Sequence, residues 1–486
     1  MTTTEAVVRL VVRLALTVVI ARLVTPEEFG LFGAAVIVAD LLSSFAGLGL
    51  AAALVQRRGT LRGATESAFG LALLLAAVMS LLLWLGRHPV AGFFGQPAII
   101  PLMALLVLAP PLRAFADVTA AVLSLERKYG RLSFIGLTSF LLGYGVVTIV
   151  LASIGWGALA LTVGFLVELG FRCVLSAWVA RSHLSIGLDR HAARVLLADA
   201  SRFSAGTLLV GFLGAQGDEV AVGRYFGADV LGLYRRAHQL TSIPVNIIRQ
   251  ALGQVLFPVF VSVKDDSVRL LVGYRRARVA LATIVLPVSG IGFVYAEELV
   301  AVLLGPVWSG VVPLLTVGLC GLYLQISAAL ASSCLLATGM MSALLRRQAV
   351  FVGVLIGAMI VSKPLGPIGM AVVAQLAWAL FAWLVEHQVA RVVPLTLGQH
   401  WADLRFGMVT ALATVLTGLP VSILLYGPLP ALGVLAVGGF VAGATALACL
   451  RYAPGGLWDG EMEWWFQRAA RRVPLLRRLR RGAASA

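Results

Sequence analysis

Apolar stretches of about twenty residues recur along the whole chain, each bounded by glycine, proline or charged residues. A helix needs about 20 mostly apolar residues to cross roughly 30 Å of hydrocarbon, and it satisfies its backbone polar groups within one segment. The composition agrees, since 60% of the 486 residues are hydrophobic and only 12% are charged. The sequence therefore predicts an all-α polytopic membrane protein.

Fourteen stretches are long enough to span a membrane. They cover approximately residues 6–24, 30–55, 67–86, 98–124, 133–153, 157–180, 203–225, 236–262, 279–296, 310–338, 346–363, 367–390, 403–426 and 429–450. Loops after even-numbered stretches, with their edges, carry 19 basic residues, including Arg275, Arg276 and Arg278, whereas loops after odd-numbered stretches carry far fewer, Arg87 and Lys363 among them. Because Lys and Arg collect in cytoplasmic loops, this asymmetry predicts an even number of spans with both termini in the cytoplasm.

The polar residues do not form the patterns of a soluble enzyme or a metal site. The four cysteines lie far apart within apolar stretches, and the six histidines show no HxxxH or HxxE spacing, so neither a metal nor a cofactor is predicted. No Walker A motif and no GxGxxG after a strand is found. The outer loops are short, which disfavours a membrane-embedded glycan polymerase or ligase, since such an enzyme generally needs a large external loop. The prediction is a non-enzymatic protein that works within the membrane.

One segment of the chain is similar to another segment 202 residues further on. Residues 20–35, IARLVTPEEFGLFGAA, align without gaps with residues 222–237, VGRYFGADVLGLYRRA. The aligned pairs are Arg22 with Arg224, Glu27 with Asp229, Gly30 with Gly232, Leu31 with Leu233, Phe32 with Tyr234 and Ala35 with Ala237. Six predicted spans separate the copies, so both have the same orientation, as in transporters built from parallel repeats. The alternative is a turn shared by two helix pairs, with the glycines relieving crowding.

The repeated segments and their surroundings resemble a known family. Residues 21–35, 47–61 (GLGLAAALVQRRGTL) and 217–260 are similar to bacterial polysaccharide-exporting flippases, the Wzx-like proteins of the multidrug/oligosaccharidyl-lipid/polysaccharide exporter superfamily. The matching motif positions are Arg22, Pro26, Phe29, Gly30, Asp218, Gly223, Gly227, Gly232, Tyr234, Pro244 and Pro258. The resemblance implies a transporter of the bacterial inner membrane. Its cargo would be a lipid-linked oligosaccharide, usually an undecaprenyl-pyrophosphate repeat unit, moved from the cytoplasmic to the outer leaflet.

The repeat predicts two pseudo-symmetric six-helix halves, residues 1–180 and 203–391, joined by a cytoplasmic linker at 181–202. An appended helix pair at 403–450 and a tail at 451–486 follow. The tail combines eight arginines with three tryptophans, a composition typical of a segment that binds anionic membrane lipids rather than nucleic acid. Docking to glycosyltransferases that build the substrate, or to a polysaccharide polymerase, is a further interpretation.

About ten charged residues fall inside predicted spans, where each costs roughly 2.5–3.5 kcal/mol and nearly always faces a cavity or a partner. A planar guanidinium binds two oxygens of a pyrophosphate at once. We therefore predict a positively charged lumen that binds the substrate phosphates. Its candidates are Arg13, Arg113, Arg172 and Arg249, with Arg22 and Arg224 in addition. The alternative is structural pairing, since Arg113 with Asp117, and Glu168 with Arg172, can meet on one helix face.

Carboxylates within spans are candidates for H⁺ or Na⁺ coupling. They are Asp40, Asp117, Glu168, Asp218 and Glu219, and the adjacent pair Glu386 and His387 is a further candidate. Asp218 and Glu219 would repel each other if both were ionised, which predicts a partner such as Arg224 or Arg236.

Three other functions stay open from the sequence. A lipid II flippase shares the positive lumen, whereas a cation-coupled drug exporter of the same superfamily usually has a cavity of carboxylates and aromatic residues. The polymerase or ligase belongs to a different class.

Overall fold

A computed structural model describes residues 3–47, 50, 54, 64–126, 128–180, 187, 189–202, 205–425 and 429–452. This part of the chain is built from helices, as predicted. They are α1 (Thr3–Leu23), α2 (Pro26–Gly47), α3 (Ala64–Phe94), α4 (Ile99–Leu106), α5 (Ala109–Leu125), α6 (Tyr129–Ser139), α7 (Thr148–Ser153), α8 (Gly157–Val179), α9 (Arg190–Arg202), α10 (Ala205–Ala251), α11 (Phe257–Ser262), α12 (Ser267–Val294), α13 (Ala296–Leu303), α14 (Val311–Cys320), α15 (Leu322–Ala337), α16 (Met341–Val361), α17 (Gly366–Val389), α18 (Leu397–Leu425) and α19 (Ala431–Tyr452). The predicted basic tail beyond residue 452 lies outside the described residues.

Among the described residues, eleven helical segments are long and apolar enough to cross a membrane, or twelve if α14 and α15, bent by 43°, form one broken span. Two features separate the larger number, twelve, from the fourteen predicted spans. The first helix, α1, carries Glu5, Arg9 and Arg13 and is therefore too charged to be counted. The stretch Leu209–Ser262 is counted once although it has 54 residues.

That stretch is too long for a single crossing. At about 1.5 Å per residue it extends roughly 80 Å, more than twice the hydrocarbon thickness of about 30 Å. Gly227 interrupts α10 with φ 84° and ψ −174°, a backbone conformation that favours glycine. The helix therefore has two arms that meet at Gly227.

Local sequence signals explain where several helices begin. The Thr25 amide donates to Glu28 Oε2 at 2.8 Å, and the Glu28 amide donates to Thr25 Oγ1 at 3.3 Å. This reciprocal pair is a capping box, and Pro26 follows at the first helical position, where its missing N–H costs nothing. Asp266 caps α12 by accepting from the amides of Val268 and Arg269.

The structure consists of two compact units, residues 1–235 and 236–486. In the first unit, α2, α3, α5 and α9 enclose an apolar core that includes Phe69, Val118 and Leu196. The Phe69 and Phe115 ring centroids are 5.2 Å apart. The short helix α9 therefore packs on the transmembrane helices of the first unit through its apolar face.

The start of α9 is fixed by Asp189. Its Oδ1 accepts from the amides of His191 at 2.7 Å and Ala192 at 3.1 Å, and its own amide donates to Ser67 Oγ at 3.0 Å. These amide donors, Ala192 first, hold the pKa of Asp189 below its ordinary value. A depressed carboxyl pKa means that the cap is fully present above the ordinary aspartate range and is lost only as the pH falls through the lowered pKa.

The two copies of the sequence repeat contact each other within the first unit, where α2 crosses the second arm of α10. A Cβ added to Gly30 would lie 1.7 Å from the carbonyl oxygen of Ala228, and one added to Gly232 would lie 1.8 Å from that of Pro26. Pro26 and Ala228 are themselves equivalent positions of the repeat. The contact is thus symmetric under exchange of the copies, and both helices approach as closely as glycine permits.

In the second unit, α12 and α18 run side by side in the same direction. Gly407 lies against the Ala282 carbonyl, Gly290 against the Ala411 carbonyl, and the Tyr295 hydroxyl donates to the Gly418 carbonyl at 3.1 Å. A second apolar cluster joins α16 to α17, with the Phe351 centroid 4.8 Å from that of Trp378 and 4.9 Å from that of Phe381.

Candidate functional site

The first ion pair of the candidate site joins α2 to α5. Arg113 Nη1 lies 2.5 Å from Asp40 Oδ1, and both side chains are about one third exposed. Asp117, one turn beyond Arg113, lies within electrostatic reach of Arg113 and Arg172. Spacing along α5 predicts a pair between Arg113 and Asp117, but the direct contact of Arg113 is with Asp40, 73 residues away in sequence.

The second ion pair lies within α8. Arg172 Nη2 is 3.2 Å from Glu168 Oε1, so the pair predicted from the four-residue spacing is confirmed. Glu168 also lies within electrostatic reach of Arg13, whose guanidinium carbon sits 5.2 Å from the ring centroid of Phe140. Phe140 begins the π-helical segment Phe140–Val147 between α6 and α7.

The adjacent carboxylates Asp218 and Glu219 have separate partners. Asp218 Oδ2 accepts from the Tyr234 hydroxyl at 2.8 Å, and Glu219 Oε2 lies 3.5 Å from Arg235 Nε. Arg235 also donates to the Gly33 carbonyl at 2.7 Å and lies within electrostatic reach of Asp40. Tyr234 and Arg235 are therefore partners of these carboxylates that the sequence did not predict, and the predicted pairing with Arg224 or Arg236 stays a prediction.

Together these groups form one network that connects α1, α2, α5, α8 and α10. Its members are Arg13, Arg113, Arg172 and Arg235, with Asp40, Asp117, Glu168, Asp218 and Glu219. Four arginines face five carboxylates, so within the first unit the network is close to electrically balanced rather than a purely positive surface. The guanidinium groups of Arg113, Arg172 and Arg235 each contact a carboxylate.

The other three predicted arginines are exposed. Arg22 is exposed in the last turn of α1. Arg224 is exposed, with its guanidinium carbon 5.5 Å from the Phe93 ring centroid. Arg249 belongs to the second unit and is exposed near the end of α10. Arg236 also belongs to the second unit, where it donates to Gln239 Oε1 at 2.8 Å and lies over the Trp308 ring.

Sequence reasoning missed several charged residues. Arg235 was not among the candidates, although the repeat aligns it with Gly33, whose carbonyl it contacts. Arg275 and Arg278, assigned to a cytoplasmic loop, lie inside α12 and pair with Asp403 and Glu386. Asp266, a residue type typical of helix N-caps, was the sequence signal that a helix begins at Ser267, before both arginines.

The network consists of ion pairs and hydrogen bonds between side chains of different helices and within α8. In the described part of the chain no group of three or more His, Cys, Asp or Glu side chains is arranged to hold a metal ion. Charged side chains within apolar helices are a feature of transporters, because such residues are otherwise too costly in a bilayer. The fold and the network thus define a multi-pass membrane protein of the transporter type.

Comparison with known proteins identifies the family. The chain belongs to the polysaccharide biosynthesis protein family, whose model matches residues 19–313, and the predicted family is confirmed. The succinoglycan biosynthesis transport protein ExoT of Rhizobium meliloti (strain 1021) is 29% identical over 304 residues, which cover 61% of this chain and 60% of ExoT. The lipopolysaccharide biosynthesis protein WzxC of Escherichia coli (strain K12) is 23% identical over 300 residues, with the same coverage of 61% and 60%. The match therefore spans about 60% of the length of these relatives.

Solved structures share the fold over most of the chain. The lipid II flippase MurJ in an inward closed conformation matches with a TM-score of 0.74 at 12% identity, covering 92% of this chain and 97% of MurJ. An inward-facing multidrug resistance MATE family transporter of the MOP superfamily matches with a TM-score of 0.63 at 15% identity, covering 79% and 95%. At these identities the likeness shows the fold alone.

Proposed function

We propose that this protein is a transporter, not an enzyme, that flips a lipid-linked oligosaccharide repeat unit from the cytoplasmic to the outer leaflet of the bacterial inner membrane. Undecaprenyl pyrophosphate is the proposed carrier, and the product serves surface polysaccharide biosynthesis. The family match over residues 19–313 is the observation that carries this proposal. The names of the relatives, which refer to succinoglycan transport and lipopolysaccharide biosynthesis, and the flippase fold support it.

The proposed topology keeps fourteen spans in two six-helix halves with an appended pair. Counting α1 as a span, dividing Leu209–Ser262 at Gly227 and joining α14 to α15 adds three spans to the eleven helical segments. The symmetric crossing at Gly30 and Gly232 supports a true repeat rather than a shared turn. Both termini are proposed to be cytoplasmic, with alternating access between the halves.

The proposed substrate contact uses Arg113 and Arg172, which are paired with carboxylates but are not buried. Each has more than a third of its side chain exposed and one carboxylate partner at 2.5 or 3.2 Å. A pyrophosphate can replace that carboxylate, because a guanidinium binds phosphate oxygens in the same forked geometry. Arg13 lies beside the second pair, and Arg22, Arg224 and Arg249 are further candidates for contact with the substrate.

The proposed ion coupling uses the same replacement of a carboxylate by the substrate pyrophosphate at Arg113 and Arg172. A proton on Asp40 or Glu168 would weaken its hold on Arg113 or Arg172 and so make the guanidinium available to the substrate. Na⁺ bound by Asp40, Asp117, Glu168, Asp218 or Glu219 would act in the same direction. Either cation would also offset the excess of one carboxylate in the network. A polysaccharide polymerase and glycosyltransferases are proposed partners, since they would consume and supply the substrate.

Lipid II is the second candidate substrate. The observation that favours it is the fold match to MurJ over 92% of the chain, and its pyrophosphate would use the same arginines. The family match favours a polysaccharide precursor instead.

Arg113→Lys and Arg172→Lys test the arginine contacts. Lysine keeps the charge and can still pair with the carboxylate, but it cannot bind two phosphate oxygens as a planar fork. We expect normal membrane abundance with surface polysaccharide reduced about tenfold, the effect of losing about one charge-assisted hydrogen bond. Arg346→Lys, at an exposed position of α16, is the matched control and should export normally. Full export by both Arg113→Lys and Arg172→Lys would contradict a forked contact with the substrate.

A further inference from the structure

A second group of charged residues lies in the second unit, around Glu386 of α17. His400 Nε2 of α18 is 2.8 Å from Glu386 Oε2, and Arg278 Nη1 of α12 is 3.6 Å from the same oxygen. The Ser327 hydroxyl of α15 donates to Glu386 Oε1. Arg278 is only 1% exposed, whereas 29% of the His400 side chain is accessible. One carboxylate thus connects four helices.

The other nitrogen of the His400 ring fixes its protonation state. His400 Nδ1 lies 2.7 Å from Arg278 Nη1. A guanidinium nitrogen only donates, so Nδ1 must accept and cannot carry a proton in this arrangement. Nε2 then carries the ring proton and donates it to Glu386. The geometry therefore requires a neutral His400 between a guanidinium and a carboxylate.

Adding a proton to Nδ1 is incompatible with this arrangement. Two N–H donors would face each other at the observed 2.7 Å, and two positive charges would meet. The protonated ring would keep its bond to Glu386, now strengthened by charge, but Arg278 would have to move away. Protonation of Nδ1 thus removes the contact between His400 and Arg278 and strengthens the contact between His400 and Glu386.

Two ion pairs between α12 and neighbouring helices surround the His400 ring. Arg275 of α12 pairs with Asp403 of α18 at 2.7 Å, and Arg278 faces Glu386, so two arginines meet two carboxylates. Tyr274, Tyr323 and Cys334 complete the group from α12 and α15 and carry no charge between about pH 5 and 8. Cys449 of α19 bonds to Thr410, further along α18. A proton on His400 would therefore add a positive charge directly beside Arg278.

We propose that His400 is a proton-binding site that controls the contact between α12 and α18. In the neutral form, Arg278 connects the two helices through His400. In the protonated form this connection is lost and the first turn of α18, up to His400, loosens from α12, while the Arg275–Asp403 pair and the close packing at Gly407 and Gly290 further along act as the fixed end. His400 lies in the first turn of α18 with 29% of its side chain accessible, so a proton can reach the ring from outside the cluster.

This inference does not depend on the proposed function, because its test reads the structure of α18 and not transport. Hydrogen exchange of the full chain in detergent micelles, followed by mass spectrometry of peptides from residues 397–410, is measured between about pH 8 and about pH 5.5, the range in which histidine titrates. After correction for intrinsic exchange, we expect local opening to increase about tenfold as the pH falls, the effect of one lost charge-assisted hydrogen bond.

Two variants make the assignment specific. His400→Gln can accept from Arg278 and donate to Glu386 without titrating, so its exchange should stay low and independent of pH. His387→Gln, one residue beyond Glu386, is the matched control, because His387 is exposed and stacks on Trp383; it should keep the wild-type transition. His400→Asn replaces His400→Gln if the latter does not fold. A wild-type protein without a pH transition in these peptides, or an unchanged transition in the His400 variant, would overturn the proposal.

Discussion

Arg113→Gln is expected to reduce membrane abundance and polysaccharide export together. The substitution removes the guanidinium that lies 2.5 Å from Asp40 and leaves the carboxylate without its nearest partner inside an apolar helix. An unpaired charge there costs roughly 2.5–3.5 kcal/mol, which corresponds to about a hundredfold change in an equilibrium constant. Immunoblots of isolated membranes and quantification of surface polysaccharide measure the two effects.

The double variant Asp40→Asn with Arg113→Gln separates stability from substrate binding. It removes both charges, so no carboxylate is left unpaired and abundance should return to near the wild-type level. Export should stay lost, because the proposed substrate contact is absent. The pair Glu126 and Lys128, 2.8 Å apart and outside the apolar segments, is the control, and Glu126→Gln with Lys128→Gln should change neither quantity. If export recovers with abundance, Arg113 has a purely structural role.

Gly30→Ala is expected to remove most of the protein from the membrane. The added methyl carbon would lie 1.7 Å from the Ala228 carbonyl oxygen, and this backbone atom of a packed helix cannot move away cheaply. Overpacking typically costs about 1–3 kcal/mol and more where the backbone must shift. Thermal unfolding of the detergent-solubilised protein should show a lower transition temperature.

The repeat supplies a second variant and a control for this prediction. Gly232→Ala places a methyl carbon 1.8 Å from the Pro26 carbonyl oxygen and should be as severe as Gly30→Ala, whereas Gly47→Ala, at the end of the same helix as Gly30, meets no atom within 4 Å and should be tolerated. Normal abundance of both the Gly30 and the Gly232 variants would contradict the close crossing of α2 and α10.

What could be predicted from sequence was local or carried by a motif. Apolar length predicts the helices, and the four-residue spacing of Glu168 and Arg172 predicts their ion pair, because helix geometry alone places them on one face. The resemblance of residues 21–35 and 217–260 is enough to find the family. The copies of the repeat were also found, since they align without a gap.

Contacts between distant residues could not be predicted in this way. Asp40 and Arg113 are separated by 73 residues, and Arg275 and Asp403 by 128, so no periodicity within one helix brings them together. Arg278 was assigned to a loop because a cluster of basic residues is typical of cytoplasmic loops. The structure instead buries it against Glu386, where the carboxylate lowers the cost of its charge. Loop charge and buried pairing produce the same pattern in a single sequence.

The leaflet that holds the lipid-linked repeat unit tests the central claim most directly. Cells that lack this protein but retain the enzymes that build the repeat unit are converted to spheroplasts and exposed to a sugar-modifying reagent that does not cross membranes. The account predicts that undecaprenyl-linked repeat units accumulate and are protected from the reagent, and that restoring the protein makes them accessible. Repeat units that are accessible in its absence would show that another protein moves them, and would contradict the proposed flippase.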